Sequence, residues 1–120
     1  MKNRIVLDFG SFVLDAELFD TVTAENFTQH LPYQVSLMHW GNELYGSIEN
    51  VLGGKDLGEE YPVPVIPPGG IAYTNQGNYV CLFFGQRPAW AVEYIGQIID
   101  DQWEKLVQSP AQAAVEIRSK

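Results

Sequence analysis

His39, Glu43, Tyr45, Cys81 and Arg87 are the side chains best suited to chemistry in this chain, and their spacing limits what they can do. His39 stands on an alternating stretch beside Trp40, where a histidine satisfied within a sheet is the first reading. The second histidine, His30, falls at the end of a helical segment. The two are not at metal-ligand spacing and no Cys or carboxylate completes a set, so no metal is assigned. Glu43 and Tyr45 are in phase on one strand and can share a face. Glu43 either points inward, where it needs a hydrogen-bond partner, or lies at the solvent end beside the Gly41-Asn42 turn. Cys81 lies in the most hydrophobic run, Val80-Cys81-Leu82-Phe83-Phe84. A reactive thiol needs an electropositive, partly exposed setting, so a buried structural thiol is expected. Arg87 follows that run through Gly85-Gln86, with Pro88-Ala89-Trp90 after it. A loop cation at a strand end suits a carboxylate or phosphate, and Arg87 with Trp90 forms the expected rim of a ligand site. Glu59-Glu60 and Asp100-Asp101 read as solvated loop ends. Gly69-Gly70 lacks the strand–loop–helix context of a phosphate cradle.

These residues must be held by strands, because period-two alternation dominates the chain. Ile5, Leu7 and Phe9 face Phe12, Leu14 and Ala16 across a Gly10-Ser11 turn. Residues 20–32 read as a short helix with Asp20, Thr21 or Thr23 as N-cap and Val22, Phe27 and Leu31 on one apolar face, stopped by Pro32. Tyr33–Trp40 places Val35, Leu37 and His39 on one side, and Glu43–Ile48 returns after Gly41-Asn42. Gly53-Gly54-Lys55-Asp56 is a turn. Pro62, Pro64, Pro67 and Pro68 then make an extended loop or sheet edge, since proline gives the ladder no donor. Residues 71–74 and 79–84 form a hairpin across Asn75–Asn78, and Val92–Ile99 is a further strand. Asp100 or Asp101 caps a second short helix that ends at Ser109-Pro110. Ala113–Arg118 closes the chain, with Val115 and Ile117 inward. About eight strands and two short helices, with no βαβ rhythm, imply a mainly β barrel or sandwich.

At 120 residues, 46% hydrophobic and 18% charged, the chain fits one globular domain over residues 1–120. Seven Lys and Arg against fifteen Asp and Glu give a net charge of −8. With no basic cluster, nucleic acid and anionic membranes are not expected as partners. Met1–Leu7 begins like a leader, but Asp8 interrupts it and alternation follows. With a lone cysteine, this points to a cytoplasmic location. The proline-rich segment could support a homodimer through an edge strand, or equally keep that edge from pairing.

From Met38 onward the order of motifs becomes specific: His39-Trp40-Gly41-Asn42-Glu43-Leu44-Tyr45, then Gly70-Ile71-Ala72-Tyr73, then Cys81-Leu82-Phe83-Phe84-Gly85. Together with Arg87-Pro88, Tyr94–Ile98 and the helix before Pro32, this resembles the small single-domain cyclophilin-like family of bacteria and archaea. The resemblance implies a closed antiparallel β-barrel with a helix plugging each end. It also implies a Phe-Phe pair, Phe83-Phe84, on the strand lining the proline pocket, and assigns Phe84 to that pocket. Cyclophilins use an arginine after their first helix to hydrogen-bond the prolyl nitrogen as the amide twists over its ~18–20 kcal/mol barrier. Between Pro32 and Gly54 this chain holds neither Arg nor Lys, a departure from that pattern. The expectation is a binding domain for a small molecule or extended peptide, without catalysis or cofactor, using Trp40, Tyr45, Tyr73, Phe84, Arg87 and Trp90. Weak peptidyl-prolyl isomerisation, or service as an accessory subunit of an amide-hydrolysing, 5-oxoprolinase-like complex, are the alternatives the resemblance implies.

Overall fold

The alternation closes on itself: eight antiparallel strands pair in the order β1-β2-β7-β5-β6-β4-β3-β8 as a closed barrel. A computed structural model describes residues 3–49, 52 and 62–120, so the expected Gly53-Gly54 turn and the Glu59-Glu60 run lie outside the described residues. The strands are β1 (Asn3–Asp8), β2 (Val13–Leu18), β3 (Tyr33–Trp40), β4 (Glu43–Ser47), β5 (Gly70–Thr74), β6 (Tyr79–Phe83), β7 (Glu93–Ile98) and β8 (Gln112–Ser119). Side chains at every second position point inward. Ile5, Leu7, Leu14, Leu18, Leu37, Leu44, Tyr73, Leu82, Val115 and Ile117 fill the interior as one cluster.

Turns follow from residue type. At the β3–β4 turn Gly41 has φ +58°, a left-handed conformation that costs glycine nothing. Gly46, on the inward side of β4, is required for a different reason: a Cβ there would sit 2.4 Å from the Ser36 carbonyl oxygen.

The helix α1 (Val22–Gln29) follows β2 and packs Ala24 and Phe27 into the interior cluster; the 3₁₀ helix Gln102–Gln108 follows β7 and adds Leu106 to it. Of the three caps expected for α1, Thr21 serves, accepting from the Ala24 amide at 3.1 Å. The buried face of α1 is Thr23, Ala24 and Phe27. Val22, expected on that face, is 40% exposed instead, because a five-residue spacing at 3.6 residues per turn sets it about 140° away from Phe27. The second helix is 3₁₀ and Asp101 makes no side-chain capping bond; a tight seven-residue segment anchored by Leu106 in the core needs none. The proline-rich segment contributes one bridge, Val63 to Val92, and buries Ile66 on the outer surface of the sheet. No helix among the described residues is long and apolar enough to cross a membrane.

Candidate functional site

With the interior filled, a site has to be built outside, and one patch of the outer wall carries the side chains for it. The outward residues of β4, β5, β6 and β7 form a second apolar cluster in which Ala72, Cys81, Phe83 and Val92 pack with Ile66, flanked by Tyr45, Tyr79 and Tyr94. Register arranges them in rows. Trp40 on β3 stands opposite Glu43 on β4, which stands opposite Phe83 on β6; Tyr45 stands opposite Cys81. Directly opposed residues of antiparallel strands bring their Cβ atoms to ~4.5–5.5 Å, so each row is a continuous strip of contact.

Above this floor the segment after β6 folds over as a wall. Pro88, Ala89 and Trp90 face Trp40 and Tyr45 across a cleft of about 290 Å³ whose floor is Glu43, Thr74, Tyr79, Cys81, Phe83 and Val92. Trp90 is fixed by its indole N–H, which donates to Thr74 Oγ1 at 2.8 Å. Tyr45 and Tyr79 meet edge to face with centroids 5.3 Å apart. Trp40 is 56% exposed and Trp90 41% exposed, so both indoles stand at the rim of the cleft.

Glu43 is the one carboxyl in the lining. It is 7% exposed, so the solvent-end placement expected beside the turn is corrected: the overhanging segment covers it. Gln86 reaches back from that segment, accepting from the Asn42 amide at 2.6 Å and donating to Glu43 Oε1 at 3.3 Å. The Cys81 thiol also donates to the carboxyl. Burial pushes the Glu43 carboxyl above its ordinary range, against these two hydrogen bonds. Burial likewise pushes the Cys81 thiol far up, with the facing Glu43 adding to the effect. Cys81 is therefore a protonated donor and not a nucleophile.

Of the six residues expected at a binding site, the structure brings Trp40, Tyr45 and Trp90 together in this cleft. Tyr73 and Phe84 are elsewhere: both belong to the interior cluster. Tyr73 is fully buried, its hydroxyl accepting from the Leu52 amide at 3.1 Å and donating to Asn78 Oδ1. Phe84 packs edge to face on His39 at 5.4 Å, so it is Phe83 of the pair that lines the cleft. Arg87 is exposed and outside the lining; Pro88 turns the segment so that Trp90 points back over the sheet. Parity groups Phe83 and Cys81 with Tyr79 and apart from Leu82, but both faces of β6 are apolar and buried, so parity does not say which set faces the cleft. His39 sits in the barrel wall as expected, its ring nitrogens 3.0 Å and 2.9 Å from the carbonyl oxygens of Ser109 and Gly41. Among the described residues no three His, Cys, Asp or Glu side chains gather as a metal would require.

A family model described as Cyclophilin-like matches residues 3–118. Among solved structures, the chain is similar to the hypothetical protein AF2241 from Archaeoglobus fulgidus, with 27% identity, a TM-score of 0.73, and coverage of 99% of this chain and 95% of that one. It is also similar in fold to McbB, solved in complex with tryptophan, at 16% identity and a TM-score of 0.70, spanning 97% of this chain and 44% of McbB. A comparison with curated proteins finds no match.

Proposed function

The chain belongs to the cyclophilin-like family, and from that premise we propose that it is a binding domain whose outer-wall cleft takes a small molecule or a few residues of an extended peptide without chemically changing it. The observation that carries this reading is the cleft itself, an apolar concavity between two partly exposed indoles with a single carboxyl in its floor. Small-molecule sites typically have ~300–1,000 Å³, mostly apolar walls and few polar groups, so about 290 Å³ suits a compact ligand. The lining holds no Arg, Lys or His among the described residues, hence no cation to hydrogen-bond a twisting prolyl nitrogen. That favours binding over isomerisation.

Weak peptidyl-prolyl isomerisation is the second reading, favoured by the position of Phe83 on the strand floor of an outer-wall cleft. Desolvation of an amide against that ring would be the only source of acceleration. One titration separates the two. A short acetylated Ala-Pro peptide is added to isotopically labelled protein, and cis–trans exchange is followed together with the protein's indole N–H signals. The binding reading expects shifts at Trp40 and Trp90, none at Trp103, and no exchange broadening of the peptide at catalytic protein concentration. Exchange broadening would replace it with the isomerase reading. If neither this peptide nor a set of small aromatic probes shifts the two indoles, the cleft is not a binding site.

A further inference from the structure

Glu43 is a carboxyl set among aromatic rings, and among the described residues no cationic side chain lines the cleft beside it. Trp40 and Phe83 flank it across the sheet, Tyr45 is two residues along the same strand face, and Trp90 closes the cleft from above. Its two donors, the Cys81 thiol and the Gln86 amide, are both neutral. A carboxylate has acceptor sites for about four hydrogen bonds, so this one retains capacity on the side of the cleft. Ionising it under such cover is unfavourable unless a positive charge comes to pair with it. The rings around it offer the complementary feature: the π-face of an indole attracts a cation within about 6 Å of its centroid, and indole does so better than the other aromatic side chains. Both indoles line the cleft and are partly exposed. The formal charge of −8 adds a long-range field that concentrates cations and repels anions.

Resting on the binding reading above, we infer that the ligand of this cleft is a small organic cation, a protonated or alkylated amine whose positive centre sits between the Glu43 carboxylate and the indoles of Trp40 and Trp90. The amine N–H groups would donate to Glu43, and the apolar part of the molecule would rest on Phe83, Tyr45 and Val92. A neutral isostere keeps the apolar contacts and loses the charge pairing. An anion meets Glu43 and the field of the whole protein with the wrong sign.

The test uses three probes of one shape: 2-phenylethylammonium, 2-phenylethanol and 3-phenylpropionate. Each is titrated at neutral pH and followed by the indole N–H shifts of Trp40 and Trp90, with Trp103 as the internal reference. The ammonium is expected to bind at least ten-fold tighter than the alcohol, and the carboxylate weaker than either. Glu43→Gln is expected to bring the ammonium-to-alcohol ratio to within about two-fold of one, and added salt to narrow it. Equal affinities of ammonium and alcohol for the wild-type protein overturn the cation inference and leave the cleft a binding site of another preference. Failure of all three probes to move Trp40 and Trp90 removes the binding reading and the inference with it. A ratio that survives Glu43→Gln overturns the role given to the carboxylate.

Discussion

Tyr73→Phe removes one oxygen from a residue that the sequence marks as a binding candidate and the fold buries completely. That oxygen accepts from the Leu52 amide at 3.1 Å and donates to Asn78 Oδ1. Asn78 itself holds the β5–β6 turn, at φ +55°, and donates to the Ile48 carbonyl at 2.6 Å. Deleting the hydroxyl takes a partner from the buried Leu52 amide and from the half-buried Asn78 side chain; at ~1–3 kcal/mol for the buried group and less for the other, the loss is about 2–4 kcal/mol. With an unfolding entropy of about 2.1 cal/mol/K per residue, the chain unfolds with roughly 0.25 kcal/mol/K, so Tm should fall by about 8–16 °C. The assay is calorimetric melting with a parallel urea titration. Asn78→Gly, which keeps the left-handed backbone accessible, supplies the second edge of a double-mutant cycle whose coupling should be about 1 kcal/mol or more. Below the variant's melting range, probe affinity at the cleft should match the wild type. A Tm loss under about 2 °C, or a loss of probe binding at unchanged Tm, would refute the structural role given to Tyr73.

Three further outcomes follow from the same geometry. Burial raises the Glu43 carboxyl above its ordinary 4.5, so its contribution to stability is complete below that value and is lost as pH rises through the folded value. No other charged group lines the cleft among the described residues; Cys81, Tyr45 and Tyr79 are the other titratable ones. Urea midpoints of Glu43→Gln and wild type should therefore coincide near pH 4 and separate in favour of the variant near pH 7; coincidence at both would contradict the burial effect. Tyr33 is pushed up to about 12 by burial, then by facing Tyr73 and Glu49. Its contribution is complete below about 10 and lost towards 12, so Tyr33→Phe should flatten the fall in urea midpoint over that window, and 295 nm absorbance should show Tyr33 ionising late. Gly46→Ala drives a Cβ against the backbone oxygen of Ser36. Overpacking of this kind costs ~1–3 kcal/mol, and a melting temperature equal to wild type would refute the close approach.

Alternation made most of the barrel legible: the inward set on β1, β2, β3 and β8 follows directly from Ile5, Leu7, Leu14, Leu37, Val115 and Ile117. What alternation leaves open is which parity faces in where both faces are apolar. On β6, Val80 and Leu82 fill the interior while Cys81 and Phe83 are buried outside under residues 63–68 and 88–92. A strand covered on both sides reads as one continuous hydrophobic run, which is why Phe84 and Phe83 are interchangeable in the sequence. Glu43 was hidden for a related reason. Its cover comes from Gln86 and the Pro88–Trp90 segment, over forty residues away, and nothing beside the Gly41 turn announces it.

The two buried carboxyls among the described residues are held in different ways. Glu93 lies where α1 meets the barrel and accepts from Thr23 Oγ1 at 2.5 Å, a polar tie between two elements that must stay docked. Glu43 ties β4 to the Gln86 segment only through one 3.3 Å hydrogen bond, which a glutamine could make as well and without the penalty of burial. A buried ionisable group held at such a cost is what the proposed binding role accounts for, since local rules are typically broken at functional positions. The barrel interior is filled by the apolar cluster to which Ile5, Leu44 and Leu82 belong, and the cleft with Glu43 lies on the outer wall. The carboxyl, the two partly exposed indoles and the Pro88–Trp90 segment occur at the same place on that wall. Loosening the cover with Pro88→Gly should therefore weaken probe binding several-fold while shifting Tm by less than Tyr73→Phe does; a variant that binds as tightly as wild type would show that the segment does not build the cleft.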